Sequence, residues 1–238
     1  MTTTTYIFDK SNRRNLTSIQ RQALSIIQSF FYSSVLPMGQ DNGKNKENGA
    51  VLLGKPLFTV TADKVTIQLF YYGYSSISNN KLSSLGSALT RCWGVWLGKG
   101  TVELQVIKLN YSVLDSNIFA QYLTHNAGKY SFNRILDMLK NSLPTVCSDG
   151  SLDSTRLFGC NQKAGDLGAN PTSHITGVKV KLSGRLVTQA SGPRQTVQAG
   201  RIGSSSRGPY STTDYSQHTN KNKLGAFTMK VWISQQSR

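Results

Sequence analysis

Apolar positions along the chain follow two rhythms. Leu16, Ile19, Ala23, Ile26, Ile27, Phe30 and Phe31 recur at intervals of three and four. That spacing lines one face of a helix, and it predicts one from Asn15 that runs out before Pro37. The polar residues 1–14 ahead of it read as a flexible arm, with Arg13, Arg14 and Arg21 crowding the helix start and outer face. Residues 38–50, rich in Gly, Asn, Asp and Lys, read as a mobile loop. The rhythm then shortens to two. Leu57, Phe58 and Val60 lead to a turn at Ala62-Asp63-Lys64, after which Val65, Ile67, Leu69 and Tyr71 alternate with polar residues as an extended pair. A helix capped by Asn79 or Asn80 carries Leu82, Leu85, Ala88, Leu89 and Cys92, and Val102, Leu104 and Val106 make an alternating strand.

The second half repeats the two rhythms in a different order. Asp115 caps a helix bearing Ile118, Phe119, Tyr122 and Leu123. Phe132, Ile135, Leu136 and Leu139 predict another, ending before Pro144. Residues 144–173 show no period and read as an insertion or long loop. Ile175, Val178, Val180 and Leu182 then form one strand, and Phe227, Met229, Val231 and Ile233 another, with weaker extended stretches at 196–202 and 211–215 between them. The expected architecture is α+β, in two units divided near residue 110.

Charge changes the picture. Over 238 residues the formal net charge is +16, and it arises from scarcity of acid, with Glu47 and Glu103 the only glutamates. Residues 171–238 hold ten Lys and Arg against one acid, Asp214, a net +9. Such a field repels itself, and a polyanion relieves it by neutralisation and counterion release. No window approaches the roughly 20 apolar residues that span a bilayer, so no membrane insertion is expected. The N-terminal residues contain neither an apolar signal core nor an Arg-rich amphipathic start. Cys92, Cys147 and Cys160 are odd in number and widely spaced, which argues for a reducing compartment.

Candidate chemistry is thin. Gly94 to Thr101 imitates a phosphate-binding loop, but three residues separate Gly94 from Gly98, Gly100 splits Lys99 from Thr101, and the segment precedes a strand. The three cysteines with His125, His174 and His218 offer no close pair for zinc. A Cys147–His174 nucleophile pair has no supporting feature. Asp149 and Asp153 lie in a Gly/Ser-rich loop, a poor setting for metal-dependent nuclease chemistry. No enzyme, metal, cofactor or small-molecule substrate is expected.

The basic residues are more informative. Lys179 and Lys181 alternate with Val178, Val180 and Leu182, so both ammonium groups project from one strand face. Arg185 follows Gly184, and Arg194, Arg201, Arg207, Lys221, Lys223 and Lys230 continue the set through glycine-rich connections. Tyr210 and Tyr215 add stacking surfaces. The Trp93–Trp96 pair is read as core. A solvated sheet face would mix Glu with Lys, whereas this one is expected to contact phosphates.

These same residues carry a resemblance. The run from Gly177 through Val178, Lys179, Val180, Lys181, Leu182, Ser183, Gly184 and Arg185 to Leu186 resembles the G-I-K-V-x-V-S-G-R-L signature of the small-subunit ribosomal protein three family. Arg201, preceded by Gly200, stands sixteen residues after Arg185 and matches that family's E-G-R. Asp214-Tyr215 matches its D-Y, Gly225 follows ten residues later, and Lys230-Val231-Trp232-Ile233 matches its K-V-W-I ending. Leu109 through Leu123 looks like the opening of the family's C-terminal domain. The resemblance implies a divergent type II KH-like α/β domain over residues 1–110. It implies a C-terminal α+β domain over 111–238, a mixed or antiparallel sheet packed on helices. The expected GxxG loop is replaced by residues Gly73 to Asn79. Phe132-Asn133-Arg134 looks like the family's F-R-R helix start, which implies a role for Arg134 at the mRNA entrance channel, although Asn133 and Asp137 stand where the family has Arg and Lys. The Asn/Ser/Thr-rich composition looks like the fungal, mitochondrially encoded form. The implied function is structural, in the head of the mitochondrial small ribosomal subunit in the matrix. The implied partners are small-subunit rRNA, mRNA at the entrance channel and neighbouring head proteins. A free RNA-binding factor for mitochondrial RNA processing or translational activation is the alternative.

Overall fold

The apolar stripe that begins at Leu16 sits on a helix longer than its buried residues require. In the structure, a computed structural model that describes residues 10–35, 51–61, 64–73, 79–97, 101–127, 130–142, 173–186, 196–204 and 211–237, α1 spans Lys10–Val35. Residues 10–14, expected in a flexible arm, are therefore its first turn. Neither Gly nor Pro interrupts this stretch, so helix propagates beyond the buried stripe at one hydrogen bond per added residue. Leu16, Ala23, Ile27 and Phe31, with the polar Gln20, are its buried positions among the described side chains.

Chain contacts divide the molecule into two compact units, Met1–Asn110 and Tyr111–Arg238. In the first unit, β1 (Leu52–Leu53) and β2 (Leu57–Val60) both pair antiparallel with β3 (Lys64–Tyr72). The two-residue β1 has no counterpart in the sequence reading, being too short to show a period. α2 runs Asn79–Leu97, and β4 (Thr101–Lys108) then pairs parallel to β3. A parallel return needs a crossover, and α2 provides it. Leu85, Leu89 and Trp93 recur every four residues on α2 and are buried with Phe58, Val65, Ile67 and Leu69. Trp93 is fully buried, its ring centroid 6.0 Å from that of Phe58, so it is a core residue. Lys64 on β3 pairs with Glu103 on β4. Hydrogen bonds from Lys64 and then Gln105, with the Lys64 charge, hold the Glu103 carboxyl below its ordinary value.

The second unit opens with a 3-10 turn, Ser112–Leu114, that delivers Asp115 to the start of α3 (Ser116–Asn126). The Asp115 carboxylate accepts the Ile118 amide at 2.8 Å, as expected of a cap. α4 (Phe132–Ser142) follows, then β5 (Ser173–Ser183), β6 (Val197–Gly203), β7 (Ser211–Asn222) and β8 (Gly225–Ser237). Residues 144–172 lie outside the described set. The strands form an antiparallel sheet in the order β6-β5-β8-β7. β7 is far longer than its apolar content suggests, because its full-length register with β8 supplies backbone hydrogen bonds irrespective of side chain. Val178, Val180 and Leu182 of β5 and Phe227, Met229, Val231 and Ile233 of β8 form the core with Phe119, Leu123, Ile135 and Leu139 of the helices. α3 packs on β7 and β8, and α4 on β6. No helix among the described residues is long and apolar enough to cross a membrane.

Candidate nucleic-acid interface

A period of two sorts every strand of the C-terminal sheet into residues that meet the helices and residues that point away. With the apolar set committed to the helices, Lys179 and Lys181 of β5 and Lys230 and Trp232 of β8 must point away. Register then lines them up. Arg201, Lys179, Trp232 and Tyr215 are successive cross-strand partners and form one row across all four strands. Ala199, Lys181, Lys230 and Gln217 form the next. Val197, Ser183, Thr228 and Thr219 form a third, and Lys221 lies two residues further along β7.

Lys179, Arg201 and Lys221 are exposed, while Lys181 and Lys230 are half-buried. Lys181 and Lys230 face each other directly across the ladder, a like-charge pair that disfavours the free sheet and that an anion would relieve. The face has no described carboxylate. Asp214 points to the helix side, where its Oδ2 accepts the Ser116 amide at 3.3 Å. That places the charge at the positive end of α3, where a helix dipole favours it.

The aromatic members are packed against one another. Tyr215 and Trp232 have ring centroids 5.0 Å apart at an interplanar angle of 35°, and the Lys179 ammonium lies 5.1 Å from the Trp232 centroid. The Tyr215 hydroxyl donates to Gln217 Oε1 at 2.9 Å, and Thr219 and Thr228 share a 2.9 Å hydrogen bond. Beyond these rows, Gly184 adopts a φ of 115°, a conformation that glycine reaches without a Cβ clash. It turns the chain into Arg185, whose carbonyl accepts Asn222 Nδ2 at 2.8 Å. This ties the loop after β5 to the β7–β8 turn, so Arg185, Lys221 and Lys223 share one end of the sheet.

Residues 51–236 match the family described as Mitochondrial ribosomal protein (VAR1). The chain belongs to this family. The match runs from the segment before β1 almost to the end of β8, so it takes in the first unit from residue 51 onward, without α1, and nearly all of the second. A relative from Mycosarcoma maydis, described as "Small ribosomal subunit protein uS3m", is 37% identical over 203 residues, covering 78% of this chain and 68% of the relative. Family membership places the chain with the mitochondrial ribosome, as the resemblance implied.

For a VAR1-family chain, the distribution of the expected site residues matters. Lys179, Lys181, Arg201, Lys221 and Lys230 come together on the outer face, and Arg185 and Lys223 adjoin it. Arg194, Arg207 and Tyr210 lie outside the described residues. Arg134 is not part of this face. It is exposed on α4, its guanidinium 5.2 Å from the Tyr130 ring centroid, and α4 packs on the opposite side of the sheet. Near it, Asp137 pairs with Lys140 at 3.5 Å. Trp232 is not among the contact residues that the sequence leads one to expect. Its signal is positional, since it sits in the polar phase of β8 between the buried Val231 and Ile233.

Among the described residues no cluster of three His, Cys, Asp or Glu could hold a metal. Burial pushes the Cys92 thiol up, toward its unreactive protonated form. Cys147, Cys160, Asp149 and Asp153 lie outside the described residues, as does the side chain of His174. His125 and His218 have ring centroids 6.3 Å apart, and His218 Nδ1 is 2.8 Å from Thr124 Oγ1.

Proposed function

We propose that this chain is a structural constituent of the mitochondrial small ribosomal subunit, binding small-subunit rRNA in the head through the outer face of its C-terminal sheet. The observation that carries the reading is the register of five cations, Lys179, Lys181, Arg201, Lys221 and Lys230, on a face without a described carboxylate. Strands hold these groups rigidly, so phosphate contacts fix position and orientation without reading sequence. Family membership supports the ribosomal setting, and the relative's name supports the small subunit.

The finer assignments follow from the same reading. The first unit, residues 1–110, is a divergent type II KH-like domain, supported by its order of helix, antiparallel strands, helix and returning strand. The second, 111–238, is the ribosomal protein domain that docks on rRNA. Arg134 contributes to the mRNA channel from α4, more weakly than in relatives with more basic residues there, because Asp137 offsets local charge. Leu114, Tyr122 and Met138, exposed large apolar groups on the helical side, are contacts for neighbouring head proteins.

Reversing Lys179, Lys181 and Arg185 to Glu tests the assignment. Mitochondrial lysates are sedimented at moderate salt, and the variant is expected to leave the small-subunit fraction while the wild type stays in it. Normal incorporation of the triple variant would remove this face from the rRNA contact. A wild-type chain that sediments free of the subunit would instead favour the free RNA-binding factor.

A further inference from the structure

Charge neutralisation explains the lysines of the outer face and leaves its rings unexplained. Trp232 and Tyr215 are cross-strand partners on that face, and Tyr215 is 40% exposed. A sheet that needs only phosphate contacts has no use for two large rings away from the core, where they lose much of the burial that favours them. Both are nevertheless held in place, Tyr215 through Gln217 and Trp232 between Tyr215 and Lys179. The next row along the strands, about 7 Å away, contains Lys181 and Lys230. Rings and cations are thus spaced so that a nucleotide whose base lies on the rings brings its phosphate to the lysines.

A duplex presents phosphates but hides its base faces in its own stack. An unpaired nucleotide presents both. An uncharged protein surface would cover the rings but leave the opposed Lys181 and Lys230 charges without relief. We infer that the Trp232–Tyr215 pair is a stacking site for an unpaired RNA base, with Lys181 and Lys230 on the flanking phosphates. Lys179, itself exposed, leaves the half-buried indole for phosphate when the base arrives and takes its place on the ring. This rests on the reading of the face as an RNA contact and sharpens it: the RNA engaged here is a loop, bulge or single strand.

The test uses the purified full-length chain and a labelled mixed-sequence RNA, offered single-stranded and as its duplex, with affinity followed by fluorescence anisotropy over a salt series. Trp232→Ala is expected to weaken single-strand binding about tenfold or more while duplex binding and the salt slope stay unchanged. Trp232→Phe, which keeps a ring, is expected to recover most of the loss. Tyr215→Ser, at an exposed position, serves the same purpose if Trp232→Ala does not fold by circular dichroism. Equal affinity for the ring variant and wild type, or an equal loss on single strand and duplex, overturns the stacking site. Lys181→Gln with Lys230→Gln separates the two claims. If that variant weakens both RNAs and flattens the salt slope while ring removal does nothing, the rRNA face stands without stacking. If it changes neither affinity, the RNA-binding face falls as well.

Discussion

Asp214 and Tyr215 are adjacent in the chain and do opposite work, because a strand sends neighbouring side chains to opposite faces. The carboxylate holds the start of α3 and the ring joins Trp232 outside. The single acid of the last 68 residues is thereby kept away from the lysines. A base stacked on a protein ring contributes about 1–3 kcal/mol, so under the proposed stacking site a base would compete with Lys179 for the indole. Gly200 shows the opposite constraint. A Cβ there would lie 2.3 Å from Leu136 Cδ1, between β6 and α4. Gly200→Ala is expected to destabilise the fold by about 1–3 kcal/mol through overpacking, read as a lowered urea midpoint with an unchanged slope. That glycine's role was visible in the sequence only as part of a G-R motif, since the packing partner lies on a helix more than sixty residues away. The basic positions on β5 and β8, by contrast, were legible from alternation with Val and Leu.

The interface between α3 and β7 is unusually polar for an element pair that closes a core. Asp115 and Asp214 serve its N-terminal end, Ser216 donates to Asn117 at 3.0 Å, and Thr124 meets His218. Burial, then the charge of His125, lowers the His218 pKa, so its neutral form is the one the fold accepts. The native state resists a proton that the unfolded chain takes up near pH 6.5. Stability is therefore full above that value and falls as pH drops through it toward the lower native pKa. Denaturation midpoints measured from pH 7.5 to 5 should decline for the wild type and decline less for His218→Gln. Elements with a clear period were legible from the residues, including the Asp115-capped helix and the central strands. β7 was seen only at its first residues, because Ser, Thr, Asn and Gln have no apolar rhythm and its pairing with β8 is a tertiary fact. The early start of α1 was not legible because its first residues, Lys10 to Asn15, are all polar and hydrophobic spacing does not mark them.

For the whole molecule, the +16 charge predicts association that weakens steeply with salt. If the five outer-face cations meet a single strand, log K against log salt should fall with a slope of about −3.5, and Lys179→Gln with Lys181→Gln should reduce it by about 1.4. A slope unchanged by that pair would locate the phosphate contacts elsewhere. The sign of the partner's charge was legible from composition, whereas the rows that bring cations and rings together were not. They depend on the order β6-β5-β8-β7, in which the consecutive pairs β5–β6 and β7–β8 are joined through the long-range pairing of β5 with β8. That order also leaves β7 with one side of its backbone unpaired among the described strands. A twelve-residue edge is long enough to recruit a strand from another molecule, and apolar side chains would make such recruitment favourable. Here the edge reads Ser-Thr-Thr-Asp-Tyr-Ser-Gln-His-Thr-Asn-Lys-Asn, polar at nearly every position. Such polar side chains give a second molecule little apolar surface to bury along that edge. Replacing its outward Thr and Gln with Val or Ile should leave the sheet intact and yet turn the free protein into one that aggregates.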